Sequence, residues 1–160
     1  MVERHPHSWW QQLTVRKGSR QGIIEGAGVV FEGGLVGRIV RVYANTSIVQ
    51  LLSHSEFRIT SQLENDGRVL VYQGGNTLQG RELGGVVKTL PLDLNLEHPA
   101  KKVLRRLQTS RLGGIFPDGI HIGWIDTIEP EKDGLFGKAK VALDERLRYL
   151  KEVAILIPET

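Results

Sequence analysis

Residues Leu112 to Gly123 read LGGIFPDGIHIG, four glycines and one proline interleaved with Ile115, Phe116, Ile120 and Ile122. Glycine loses much backbone entropy on folding, and proline fixes φ and removes a donor. Such a density between apolar residues therefore requires specified turns between buried strands. The segment is an architectural signal, and it offers no side chain that does chemistry unaided.

The same bias runs along the whole chain. Nineteen glycines in 160 residues are about 12%, against a usual share of about 7%, which favours many tight turns and a β-rich fold. Apolar runs are short, and none approaches the roughly 18 to 20 residues of a membrane span. No basic segment followed by an apolar one marks a signal peptide. The length suits one ordinary domain or two small barrels.

Charge carries little information. Lys plus Arg number 21 against 18 for Asp plus Glu, so the pI of 9.3 rests on a net charge of only +3. That surplus does not by itself argue for nucleic acid. The local basic cluster is Lys101, Lys102, Arg105, Arg106 and Arg111, which reads as a solvated face. The absence of cysteine removes disulfides and thiolate metal sites, and fits either side of a bacterial membrane.

Strands are expected at Leu13 to Val15, Val29 to Phe31, Leu35 to Tyr43 and Ile48 to Leu52, with a hairpin at Glu32, Gly33 and Gly34. Phe57 to Glu64 alternates, Phe57, Ile59 and Leu63 against Arg58, Thr60, Gln62 and Glu64, as a strand covered on one face does. Asn65, Asp66 and Gly67 give the strongest hairpin signal, leading to Arg68 to Tyr72; Gln73 to Asn76 is expected to turn again, and Leu78 to Leu83 and Val86 to Leu90 follow. Val103, Leu104 and Leu107 sit at helical spacing, as do Leu143, Leu147 and Leu150. Against the second, Lys138 to Leu143 alternates and Val153 to Ile157 is β-branched. The expectation is strand, a short helical turn around Asp144 to Tyr149, then strand.

The search for chemistry is thin. Ser53 and Ser55 flank His54 without the Gly-flanked turn that presents a hydrolase nucleophile. His5 and His7 make at most half a zinc site, and His54, His98 and His121 are scattered. His121, between Ile120 and Ile122, reads as a solvent-facing strand residue. Gly26, Ala27 and Gly28 begin a G-x-G, but Phe31 stands where a dinucleotide fingerprint needs glycine. Glu129 and Glu131 astride Pro130 read as hairpin surface. No catalytic, cofactor or metal residue is assigned.

Several segments in order resemble one family: Ser8 to Gln11 (SWWQ), Val15 to Ser19 (VRKGS) with Gly22, Gly34 to Arg38 (GLVGR), Asn45 to Leu52 (NTSIVQLL), Leu112 to Gly123, and Gly134 to Val141. They are similar to the extracytoplasmic β-domain of MreC, the bacterial rod shape-determining family. The pattern departs at Leu104 to Arg111, where members tend to have Gly-Asp, a Val-rich strand and Thr-Ser-Gly. The resemblance implies an all-β fold of two small tandem β-barrels, mostly antiparallel, with at most one or two short helical turns. Residues 1–12 would lead in from a coiled coil, 13–64 form the first barrel and 65–160 the second. The last strand either stays there or returns to the first.

The resemblance further implies a non-enzymatic scaffold of the cell-elongation complex, with no cofactor. Its partners would be a class B penicillin-binding transpeptidase, MreD, MreB and further copies of itself. The whole protein would sit on the periplasmic or extracytoplasmic face of the inner membrane, anchored by one membrane helix outside this chain. The candidate contact residues are Arg105, Arg106, Arg111, Phe31, Tyr43, Tyr72, Trp124, Phe136 and Tyr149, each aromatic having a core alternative. Gly113, Gly114, Phe116, Pro117, Gly119 and Gly123 form the structural signature. A rival reading is a small-barrel nucleic-acid module using Lys101 to Arg111, with Phe116 as the nearby aromatic for stacking.

Overall fold

The computed structural model describes residues 2–4, 11–64, 66–76, 83–91, 105–113 and 116–157. In these the strands are β1 Val2–Arg4, β2 Gln12–Val15, β3 Gly28–Phe31, β4 Gly34–Val42, β5 Ser47–Leu51, β6 Arg58–Leu63, β7 Leu70–Asn76, β8 Leu83–Pro91, β9 Arg106–Thr109, β10 His121–Pro130, β11 Phe136–Leu143 and β12 Ala154–Leu156. They make a six-stranded sheet, β1-β2-β5-β4-β3-β12, and a closed barrel, β10-β11-β8-β7-β6-β9. The described pairings are all antiparallel.

Local chemistry explains most strand ends. Glu32 and Gly33 form a two-residue loop that leaves Phe31 opposite Gly34, as a glycine-bearing hairpin turn should. Asp66 Oδ1 accepts from the backbone N–H of Arg68 at 3.0 Å, an Asx turn that reverses the chain between β6 and β7. Phe57, Ile59 and Leu63 are buried while Arg58 and Glu64 are exposed, so the alternation sets the face.

The chain changes sheets earlier than the sequence suggested. β6, expected to complete the first barrel, is a stave of the closed one, pairing with β7 and β9. Alternation states that one face is covered but not which sheet covers it. The last strand returns: β12 pairs with β3, Ala154 opposite Val30. Residues Val2–Arg4 of the lead-in pair with β2; Trp9 and Trp10 lie outside the described residues, as do Lys101 to Leu104.

Among the described residues helical structure is confined to three short 3-10 turns, where at most one or two were expected: Ser19–Gln21, Arg111–Gly113 and Glu145–Tyr149. The third is the short turn expected between two strands. Leu143 ends β11, Leu147 is buried in the turn, and Leu150 is half-buried after it. Their helical spacing arises because each of three successive segments turns one leucine inward. Leu107, also at helical spacing, lies on β9 with no exposed surface.

The core is continuous across both sheets. Leu13, Val29, Val36, Ile39 and Val49 fill the first, and Leu63, Tyr72, Val87, Leu107 and Val141 fill the barrel. Each such side chain contributes about 1.5–3 kcal/mol by leaving water.

Candidate interaction surface at the junction of the two sheets

The glycine-rich segment is organised by a residue outside it. Thr109, fully buried at the end of β9, donates its hydroxyl to the carbonyl of Pro117 at 2.6 Å and accepts from the N–H of Ile120 at 3.0 Å. Its backbone accepts from Gly119 and donates to Ile120. Gly119 takes φ 82°, which a side chain would strain. The loop so closed sends Phe116 onto Gly28 of β3, where any Cβ would overlap the ring. One aromatic thus spans from barrel to sheet. Gly123 lies on β10 against the carbonyl of Ala142, and Gly114 falls outside the described residues.

Two further contacts cross the same junction. Arg38 on β4 donates from Nη2 to the carbonyl of Arg58 at 2.8 Å, its guanidinium carbon 4.5 Å from the ring centroid of Phe57. Arg146, in the turn after β11, lies 5.3 Å from the ring centroid of Phe31 on β3. Its guanidinium forks onto Asp144, with Nη2 2.7 Å from Oδ2 and Nε 3.1 Å from Oδ1. Asp144 also caps the turn by accepting from the Arg146 N–H at 2.9 Å. These hydrogen bonds hold the Asp144 carboxyl below its usual range.

Phe31, Arg146, Tyr149, Leu150, Val153 and Ala154 border an open groove of about 690 Å³ beside β12, together with Glu32, Lys151 and Glu152. Tyr149 is 78% exposed there. One side of β12 pairs with β3, and no strand pairs with the other among the described residues. The groove therefore combines an aromatic face, charges of both signs and an open strand edge, which suits an extended or apolar protein segment.

The remaining candidates are dispersed. Tyr72 leaves the list of contact residues: it is fully buried in the barrel, edge-on to Phe57, with its hydroxyl donating to the Leu52 carbonyl at 2.8 Å. An inward strand position buries an aromatic whatever the polarity of its tip, provided that tip finds an acceptor. Tyr43 is exposed just past the end of β4. Phe136 is exposed beside Leu135 at the β10–β11 hairpin. Trp124 is half-buried on β10, its ring 4.5 Å from that of His121.

The basic cluster does not act as one row. Arg105 donates to the carbonyl of Glu64 at 2.6 Å, Arg106 lies opposite Trp124, and Arg111 faces Asp118, which accepts its N–H at 2.6 Å. Arg38 figured in the sequence only as the end of the GLVGR segment and Asp144 only as the start of a turn, and neither was legible as a junction residue. His121 differs from the expected solvent-facing residue: it is half-buried and both ring nitrogens are covered, because β10 begins inside the junction. His54 Nδ1 accepts from the Glu56 N–H at 3.0 Å, a local turn contact. Among the described residues no three His, Cys, Asp or Glu side chains gather as a metal site.

A family model described as Rod shape-determining protein MreC, barrel core, matches residues 1–157. The cell shape-determining protein MreC of Listeria monocytogenes is 29% identical over 158 residues, 98% of this chain and 51% of that protein. MreC of Haemophilus influenzae is 34% identical over 144 residues, 88% of this chain and 38% of that protein. The chain thus spans about half, or less, of the length of these curated relatives. Among solved structures, MreC of Listeria monocytogenes superposes with a TM-score of 0.79 at 27% identity, covering 96% of this chain and 70% of that one. A chain from the complex between penicillin-binding protein PBP2 and MreC of Helicobacter pylori gives 0.61 at 16% identity, covering 91% and 86%. At that identity the likeness is one of fold.

Proposed function

Because the chain belongs to the MreC family of rod shape-determining proteins, matching its barrel core across residues 1–157, we propose that it is a non-catalytic scaffold of the bacterial cell-elongation machinery and binds a class B penicillin-binding transpeptidase. The observation that carries this reading is the groove of Phe31, Arg146 and Tyr149 beside the open edge of β12. It is an accessible, mixed aromatic and charged face rather than an enclosed polar pocket, and such faces serve protein contacts. The fold likeness to a chain solved in complex with PBP2 supports the class of partner. In the whole protein the same reading extends to MreD, MreB and self-association, on the extracytoplasmic face of the inner membrane.

The test is direct binding of the folded chain to the ectodomain of its cognate class B transpeptidase by interferometry. Saturable association that weakens when the groove is altered is expected. Absence of association up to high micromolar concentration, with the fold verified by circular dichroism, overturns the partner assignment.

A further inference from the structure

His121 begins β10 where the barrel meets the six-stranded sheet. Its carbonyl and Cβ face Gly34 of β4 so closely that a side chain at Gly34 would collide with them. The Trp124 ring packs against the imidazole, centroids 4.5 Å apart at 60°. Nδ1 and Nε2 are both buried, and neither has a hydrogen-bond partner among the described residues. Leaving a buried polar atom unpaired is unfavourable, so the packing of two sheets holds this ring where its own chemistry does not.

Charged groups reach the ring from the elements around it. Arg106 acts from β9, Glu64 from the end of β6, and Asp144 and Arg146 from the turn after β11. β4 presents Gly34 and β10 presents Trp124, neither of them charged. Glu32, in the β3–β4 turn, acts on Arg146. The acid whose field on His121 is the stronger, Asp144, is the one that Arg146 holds in its fork. Arg146 in turn lies over Phe31 of the other sheet. Asp144 and Arg146 therefore act on His121 through their charge, and the residues His121 packs against directly are Gly34 and Trp124.

We propose that His121 is an acid-sensitive latch between the two sheets: a proton on its ring puts a charge and a second N–H donor into the packing against Gly34 and Trp124 and loosens the junction. A neutral imidazole tolerates this site, whereas an imidazolium carries two N–H donors and a charge that require an acceptor. Burial, with Arg106 adding to it, lowers the affinity of the folded ring for a proton. The unfolded chain consequently binds that proton first. The stability this group contributes is complete above the unfolded value of about 6.5 and is lost as pH falls through the folded one. Acid thus loosens the junction. This inference does not depend on which partner the groove binds.

The experiment is an NMR titration of the isotopically labelled chain from pH 8 to pH 5. The His121 ring is expected to titrate below the midpoint of a histidine in an unfolded peptide, and the amide of Gly34, on the facing sheet, to shift with that same midpoint. In His121→Phe that amide shift vanishes. In Asp144→Asn the His121 midpoint moves lower, since a stabilising negative charge is gone. A ring that titrates at the peptide value overturns the latch, as does a Gly34 amide that stays flat across its titration. Should His121→Phe fail to fold, coincidence or non-coincidence of midpoints in the unaltered chain decides the matter.

Discussion

The Tyr72 hydroxyl donates a 2.8 Å hydrogen bond to the carbonyl oxygen of Leu52, and through it the barrel grips the chain where it leaves the six-stranded sheet. The Leu52 N–H is held from the other side by the carbonyl of Val36, at 3.1 Å. Tyr72→Phe leaves a buried carbonyl unpaired and should cost about 1–3 kcal/mol. Urea denaturation measures it, and a loss within error would show that the carbonyl finds another donor. Gly85→Ala should be destabilising as well, because its new methyl would overlap the Tyr72 ring.

Arg38 is the cationic counterpart of that grip, bonded to the Arg58 carbonyl and stacked on Phe57. Arg38→Lys should recover little of it, since an ammonium lacks the planar fork that serves both contacts at once. A loss of about 1–2 kcal/mol is expected for Arg38→Ala, with Arg38→Lys closer to the alanine variant than to the unaltered chain. Thermal unfolding of the three proteins side by side checks the order.

Thr109→Val keeps the shape of the side chain and removes the hydroxyl that serves Pro117 and Ile120. The expected cost is about 1–3 kcal/mol. Amide exchange should rise first in residues 116–120, which that hydroxyl organises. Uniform loss of protection across the barrel would instead mean that Thr109 acts through strand packing alone.

Arg146 holds the Asp144 carboxyl below its unfolded value through hydrogen bonds that also cap the following turn. A carboxyl so depressed contributes stability that is present above the unfolded pKa, about 3.9, and is lost as pH falls through the folded one. Asp144→Asn should therefore lose stability at neutral pH and flatten the decline below about pH 4. Stability curves of the two proteins from pH 7 to pH 2 give the comparison; parallel curves would refute the assignment.

Tyr149 is largely in solvent, so Tyr149→Ser should change stability by no more than about 0.5 kcal/mol. Transpeptidase affinity should fall by about tenfold. Leu135→Ser, at the far hairpin, serves as the control for exposed apolar residues in general. An equal effect of both substitutions would move the contact away from the groove.

Patterns confined to a few neighbouring residues were legible without a structure. The alternation of Phe57, Ile59 and Leu63 gave a covered face, Glu32 and Gly33 gave a hairpin, and the short turn before Tyr149 followed from alternation on one side and β-branching on the other. The candidate surface was only partly legible. Phe31 and Tyr149 both border the groove, but Tyr72, equally aromatic, is core. An aromatic residue states that area will be buried and leaves open whether the molecule or a partner buries it. Arg38 and His121 were invisible as junction residues because their partners lie far away in sequence, Arg58 for the first and Gly34 for the second.

The sequence by itself determined the all-β character, several of the tight turns and the family, because glycine, proline and period-two alternation act within a few residues; the turn expected at Gln73 to Asn76 is instead the end of β7, where paired glycines sit inside a strand. The motif LGGIFPDGIHIG is local in the same sense: it specifies that the chain must turn. Only the tertiary structure decided that β6 belongs to the barrel, that β12 returns to β3, and that Phe116 crosses from the motif onto Gly28. Those outcomes depend on which buried faces meet, and burial is non-directional: apolar area records how much must leave water, not against what. Close packing and the pairing of buried polar groups, as at Thr109 and Tyr72, then select one arrangement.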